Sequence, residues 1–486
     1  MYNHRPGCSV CPNDHSSSPV RFDAAPMSDH LETHTETRLS AERRRGRLLR
    51  VLGAGFGLAV IVGNTIGAGI LRTPGDIAEK LPHPWLFLGV WLAGGIYALL
   101  GAISMAELGA MLPRSGGQYV FVRRALGDYA GFVVGWSDWL STCGSTAAVS
   151  IVVGEYAGAL CPLLAGHTVV SAIFVATAFA VLQWRGIRWG SRVQNLTSLL
   201  KALAFIALVA ACFLRGGGSV QASPAAAPTP AGWPLLFALV AALQAVIYTY
   251  DGWTGVIYFS EEVREPGRDI PRSLFGGIMA IAGIYVLTNL ALLYVLPLPE
   301  IAGRELALGA AAKVVFGPYG ETVIRSLTII SMFSAINACH LMASRVLFAM
   351  SRDRLFTNRA ARVNAGGTPT AALLMSAATS VIFILSGRFE GVIAVLAFFF
   401  VANYAASFLS VFVLRRREPQ TVRPYRAWGY PWTTGLALAG SVAFLASAVA
   451  SDTGRSFYAL SLLVASYPIF VLLRRWRETT RLEPAP

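Results

Sequence analysis

The chain has 486 residues, 55% of them hydrophobic and only 14% charged, where a soluble domain carries roughly 25% charged residues. Backbone polar groups must pair within the protein in lipid, and apolar runs of about 18 to 25 residues suit helices rather than the short alternating strands of a barrel. The formal charge of +14 sits in short loops between those runs, not on a basic face with interleaved aromatics, which argues against a nucleic-acid binder.

Residues 1–45 are polar and are expected to form a disordered tail. Cys8 and Cys11 make a CxxC with His15 nearby. A zinc site needs a second ligand pair, offered here only by His15, His30 and His34, so neither metal nor cofactor is expected. Met27 is an alternative start that would remove the CxxC. Apolar runs of spanning length then fall at 51–71, 85–111, 127–160, 168–184, 193–214, 233–260, 273–296, 319–350, 370–386, 390–414, 432–451 and 456–473, predicting an all-α membrane protein of twelve spans. No run near residue 1 resembles a cleavable signal peptide. The Ala/Pro/Gly-rich stretch 216–232 reads as a loop. A membrane domain of 46–475 and a tail of 476–486 follow. Cys143, Cys161, Cys212 and Cys339 fall in or beside the spans, as small buried hydrophobes do.

Arginine clusters alternate with poor loops. One side takes Arg43–Arg50, Arg114, Arg123 and Arg124, Arg185–Arg192, Arg264–Arg272, Arg352–Arg362, Arg415–Arg426 and Arg474–Arg481. The other holds Arg72, Lys80, Arg215, Arg304, Lys313, Arg388 and Arg455. The positive-inside bias then places both termini in the cytoplasm of a cell whose inner membrane the chain crosses.

Two spans are interrupted. The first contains Gly63-Asn64-Thr65-Ile66-Gly67-Ala68-Gly69, and each glycine is about 1 kcal/mol worse than alanine in a helix interior. Unwound backbone at mid-membrane is tolerated where it lines a cavity or is buried in protein. Its N–H groups at the start of the next half-helix would suit a carboxylate; close packing through small residues is the competing account. The sixth span reads Tyr248-Thr249-Tyr250-Asp251-Gly252-Trp253 at its centre. Its freed carbonyls would suit an ammonium. Breaks at matching places in two halves point to a transporter's binding site, and spans one and six are the first members of two five-span halves, 51–214 and 233–414, with 432–473 holding the last two spans.

These residues resemble the amino acid–polyamine–organocation superfamily of permeases. The likeness runs from about residue 50 to 475. It rests on Gly63–Gly69, on Ala106-Glu107-Leu108-Gly109 with Pro113-Arg114-Ser115-Gly116-Gly117-Gln118-Tyr119, and on Tyr250-Asp251-Gly252-Trp253 with Ser260-Glu261-Glu262 and Pro271-Arg272. Asn337 and Ser344-Arg345 sit at the spacing found in L-type amino-acid transporters. The resemblance implies a LeuT-type five-plus-five inverted repeat with helices 1 and 6 broken, working by alternating access as a secondary transporter of α-amino acids. It implies that Gly67, Ala68 and Gly69 donate to the substrate carboxylate. The carbonyls of Ile61, Gly63, Tyr248, Thr249 and Asp251 become candidates for the ammonium, Tyr248 an aromatic gate, and Asn337 a pocket-side polar residue or a core one. At Asp251 L-type relatives often have Gly. The carboxylate there would prefer cationic substrates, bind a proton or bond the unwound backbone.

Lys201 is the one lysine inside a span. It either snorkels to a bilayer end or, as the resemblance implies, bridges carbonyls of spans one and eight where sodium-dependent relatives bind sodium. A proton-coupling role and a fixed charge in an exchanger both fit. Ser331, Ser334 and Asn337 recur every three residues as a polar stripe on span eight. Arg345 and Glu107 are candidates to pair near the arginine-rich face; Asp138, Glu155 and His340 receive no role. The expected partners are a small-molecule amino acid, protons and lipid, not nucleic acid. No GxxxxGK[ST] motif supports ATP drive, and nothing points to an enzyme. The alternatives are a polyamine or organocation carrier, motivated by Asp251, and a non-transporting sensor on the same fold.

Overall fold

The computed structural model describes residues 48–67, 69–217, 228–386, 389–451 and 453–480. The tail 1–45 with Cys8, Cys11, His15 and Met27, the site candidate Ala68, the middle of the 216–232 loop, Arg388 and residues 481–486 lie outside them. Among the described residues β structure is limited to two isolated bridges, Leu52 with Val263 and Val363 with Pro369.

The first span is two helices, α1 (Ala54–Thr65) and α2 (Gly69–Lys80). Each has 12 residues, about 18 Å at 1.5 Å per residue, so neither alone crosses a hydrocarbon core of about 30 Å. Together they form one span bent by 49°. There follow α3 (Pro84–Met111), the short α4 (Gln118–Leu126), α5 (Asp128–Leu160), α6 (Thr168–Trp184), α7 (Ile187–Arg215) and α8 (Trp233–Tyr250). The chain continues with α9 (Pro266–Val295), α10 (Ala307–Phe316), α11 (Gly320–Arg352), α12 (Thr370–Ser386), α13 (Phe389–Arg417), α14 (Trp432–Ser451) and α15 (Thr453–Thr480).

Among the described residues 8 helical stretches are long and apolar enough to cross a membrane, or 9 with the bent pair. Thr168–Trp184, Thr370–Ser386 and Ala459–Arg474 are apolar but shorter. Helices coincide with the apolar runs, with informative differences at the edges. The expected first span stops at 71, whereas α2 continues to Lys80. Arg72, Asp76, Glu79 and Lys80 dilute the apolar signal there, yet Ile70, Leu71, Ile77 and Ala78 form a buried face. In the same way α7 begins at Ile187, and α15 runs on through Thr480.

The helices pack in two sets. One set is α5, α6, α11 and α12; the other is α1, α2, α3, α8 and α9. Between them α7 touches α1, α9 and α11. The approach of α1 to α7 and α11 requires glycine at position 63. A Cβ there would lie 2.2 Å from Gln194 Nε2 and 2.3 Å from Ser334 Oγ.

The arginine-rich face is tied by buried ion pairs, and the pairing differs from expectation. Glu107 on α3 does not meet Arg345. Its carboxylate accepts from Arg415 Nε at 2.9 Å, Arg423 Nε at 3.1 Å and the Ala427 backbone N–H at 2.7 Å. Arg345 pairs instead with Glu262, at 3.0 Å from both Nε and Nη2, with both side chains fully buried. The motif residue Glu107 thus anchors the loop between α13 and α14 beneath α3.

Removing one partner of a buried pair leaves an uncompensated charge, at a cost of about 3–5 kcal/mol. Glu107→Ala should therefore lower the melting temperature of the detergent-purified protein by several degrees. Glu265→Ala, which breaks an exposed pair with Arg268, should leave it nearly unmoved.

Candidate functional site

The two breaks meet at one cavity. It measures about 140 Å³ and is concave and lined from several helices, as small-molecule sites are. Asn64, Thr65 and Gly69 line it from the first break; Tyr248, Thr249, Asp251, Gly252 and Thr254 line it from the second. Thr142, Ser145 and Val149 of α5, Ala335, Cys339 and Met342 of α11, and Phe400 and Tyr404 of α13 form the opposite wall.

Sequence dictates the geometry of each break. α1 ends at Thr65, and Ile66 turns extended with φ −74 and ψ 96. The chain re-enters a helix at Gly69, whose first N–H groups have no intrahelical partner. At the second break α8 ends at Tyr250, and Gly252 takes φ +106. A side chain there would meet Asn64 Nδ2 at 2.7 Å, so glycine serves both the turn and the approach of the two breaks. The helical part of α8 extends further than its polar sequence suggests, and the irregular stretch is Asp251–Thr254. A helix N-terminus and a helix C-terminus therefore face one space, with dipole ends of opposite sign.

The expected ligand groups are disposed unevenly. Thr249, Asp251, Tyr248 and Gly69 all reach the cavity wall. Gly67 lies in the break, outside the lining, and Ala68 lies outside the described residues. Ile61 is fully buried within α1, where its side chain lies against Gly277 of α9. The Gly63 carbonyl is taken by Lys201 and the Thr249 carbonyl by the Tyr285 hydroxyl at 2.9 Å. Asn337 is absent from the cavity wall. It is fully buried, donates to Gly190 O at 3.1 Å and Gln194 Oε1 at 2.8 Å, and accepts from Gln183. Its place is thus the core contact of α11 with α6 and α7.

Lys201 is 1% exposed and does not snorkel. Its Nζ donates to Gly63 O and Ile66 O, each at 2.6 Å. Both carbonyls belong to span one. Span eight contributes a hydroxyl rather than the expected carbonyl, as Ser331 Oγ donates to the same Ile66 oxygen at 2.8 Å. Ser334 bonds Ser198 at 2.9 Å and accepts from Gln194 at 3.1 Å. The polar stripe of α11 therefore faces α1 and α7 and supports the break from behind.

Two tyrosines, Tyr404 in the wall and Tyr285 behind it, had no place in the sequence reading. Tyr404 donates to the Asp251 carboxylate, and its ring lies 5.3 Å from that of Trp253. The Tyr285 hydroxyl of α9 lies 2.9 Å from both Thr65 O and Thr249 O, its single proton shared between the two acceptors, so one hydroxyl spans the two breaks. Polar residues inside an apolar helix, Tyr285-Thr288-Asn289 among them, were the available signal.

On the arginine-rich side the cavity is shut. Tyr248 is 37% exposed, whereas Tyr258 nearer that face is 4% exposed. Below Tyr258, Leu52 N donates to Glu262 O at 2.9 Å and Arg264 N to Leu52 O at 2.8 Å. The Arg345–Glu262 pair lies beside this bridge. Asp353 receives Arg114 and Arg123, each at 2.8 Å, and the Tyr119 hydroxyl at 3.1 Å. Burial first, and then the Asp353 carboxylate, hold the Tyr119 hydroxyl well above its ordinary range, so it stays a donor.

Comparison with known proteins agrees with this architecture. The family model described as Amino acid permease matches residues 57–467. The serine/threonine exchanger SteT of Bacillus subtilis (strain 168) is 28% identical over 88% of this chain and 98% of its own length. The Asc-type amino acid transporter 1 of Homo sapiens is 27% identical, over 79% of this chain and 74% of its own. The b(0,+)-type amino acid transporter 1 of Mus musculus is 26% identical over 82% of each. With the family model spanning most of the chain and the apolar helices above, this is a multi-pass membrane protein that belongs to the amino acid permease family.

Proposed function

We propose that the chain is a secondary transporter moving α-amino acids across the cytoplasmic membrane by alternating access. The observation that carries this reading is the cavity where a free helix N-terminus and a helix C-terminus converge, a pair of opposite dipoles matched to a zwitterion. The N–H groups of the Gly67–Gly69 stretch, of which Gly69 lines the cavity, hold the carboxylate. The ammonium takes the Asp251 carbonyl of the second break, since those of Gly63, Tyr248 and Thr249 already accept hydrogen bonds. Tyr248 covers the substrate. The names of the relatives, transporters and exchangers of amino acids, support the same substrate class.

The fold reading goes with it. Each of the twelve predicted runs overlaps a helix, and the division into α5, α6, α11 and α12 against α1, α2, α3, α8 and α9 supports a LeuT-type five-plus-five repeat. The first set serves as the scaffold and the second rocks. Arginine clustering places both termini on the cytoplasmic side of an inner membrane.

Lys201 acts in this scheme as a resident cation. An ammonium at the C-terminal end of α1 meets the negative end of the helix dipole and pins the break open for ligand. A second reading, transport of polyamines or other organocations, is favoured by Asp251 in the cavity wall. The hydroxyl of Tyr404 already answers that carboxylate, which favours the zwitterion.

Purified protein in liposomes loaded with unlabelled amino acids should exchange at least one labelled member of a panel of twenty. Putrescine and agmatine in hundredfold excess should leave that flux intact; absence of flux across the panel sinks the transport reading. Lys201→Ala should lower exchange and pH-gradient-driven uptake together, by about tenfold or more, because the break loses a charge-assisted bond pair. Loss of uphill uptake with exchange preserved would instead make Lys201 the titrating group.

A further inference from the structure

Asp138 of α5 is fully buried and belongs to none of the ion pairs described above. Its Oδ1 accepts from the Tyr258 hydroxyl at 2.8 Å. Its Oδ2 meets no protein donor. A buried carboxylate anion is tolerated when it is paired with a cation or receives several hydrogen bonds. Here one neutral donor reaches it.

The neighbouring groups explain the lack of a counter-charge. From the broken sixth span come Tyr258 and the like-charged Asp251; from α13 comes Tyr404, committed to Asp251. Arg345 of α11 is held by Glu262, and His340 of the same helix bonds Ala176 O of α6 at 3.0 Å. Gln118 of α4 accepts from Ser407 of α13, and Ser376 of α12 accepts from Trp139. On the face toward α15, Phe132 of α5 meets Phe470. Arg123 of α4 is engaged with Asp128 and Asp353.

The lone donor sits on the part of the chain that must move. Tyr258 lies in the short turn Gly255–Phe259 after the second break, and it lines the cavity together with Thr142, one turn along α5 from Asp138. Its carbonyl receives the Gly116 N–H at 3.2 Å. In the transport reading above, opening of the arginine-rich side would break that link and draw Tyr258 away from α5, which is packed against α6, α11 and α12.

We propose that Asp138 is the proton-binding site of the transport cycle, carrying one proton inward with each amino acid. The inference rests on the transport reading above. With the arginine-rich side shut, the proton sits on the carboxyl group and the side chain is neutral. When Tyr258 withdraws, water enters from the cytoplasmic side, the anion is solvated and the proton passes to that water. Return to the shut state requires a new proton from the opposite side through the cavity.

The test uses the full chain in liposomes containing the pH dye pyranine, with the amino acid of highest flux in the panel added outside. Wild type should acidify the lumen, and its uptake should rise as external pH falls. Asp138→Asn should abolish the acidification and flatten the pH profile, while Asp138→Glu restores both. Tyr258→Phe removes the donor that favours the anion, so the pH of half-maximal flux should move up by about one unit. Should Asp138→Asn fail to reach the membrane, Tyr258→Phe decides, and an unmoved midpoint overturns the proposal. Persistent acidification by Asp138→Asn, or wild-type amino-acid flux without proton movement, does the same. No amino-acid flux by the wild type sinks the transport reading, and this proposal with it.

Discussion

The ammonium of Lys201 on the carbonyls of Gly63 and Ile66 is the contact on which the site depends. A helix stopped in mid-span exposes carbonyls that water would satisfy at a surface and that lipid cannot. A buried lysine, for its part, needs acceptors. Each deficiency supplies the remedy for the other. The polar stripe of α11 and the Gln194–Ser198 pair complete the support, so the break is rigid on its inner side. On its cavity side the first N–H groups of α2 have no intrahelical partner.

Much of this was legible in the sequence. The glycine-rich break, the second break and the buried lysine stand out because each violates the composition of an apolar helix, and lipid makes such violations expensive. The positions of the helices follow from the same rule. What escaped were contacts between spans. Asn337 has the polarity of a pocket residue and the right spacing on α11, but only the packing shows that its face meets α6 and α7. Glu107 and Arg345 both lie near the arginine-rich face, and an arginine-rich chain offers each several partners; proximity along a membrane normal does not choose among them. Tyr404 and Tyr285 read as ordinary aromatic residues of a span until their hydroxyls are placed.

The closed side of the cavity shows how charges that are costly in lipid can serve specificity. Glu262 and Arg345 are both fully buried, and such a pair contributes little net stability relative to apolar residues. Its geometry is nonetheless directional. Two parallel N–H bonds to one carboxylate fix the turn after the second break against α11, whereas apolar packing would let it slide. The surrounding pairs to Asp353 and Glu261 fasten α4 and the end of α11 to the same turn.

The phenol of Tyr285 has a consequence for how the two breaks are held together. Its oxygen sits 2.9 Å from the carbonyls of both Thr65 and Thr249, the last turns of two half-helices that have no covalent link nearby. Sliding one past the other would strand a carbonyl in a dry environment. The two stumps are thus yoked like a pair of oars on one pin, and a displacement of one must carry the other, with α9 as the shaft that holds them.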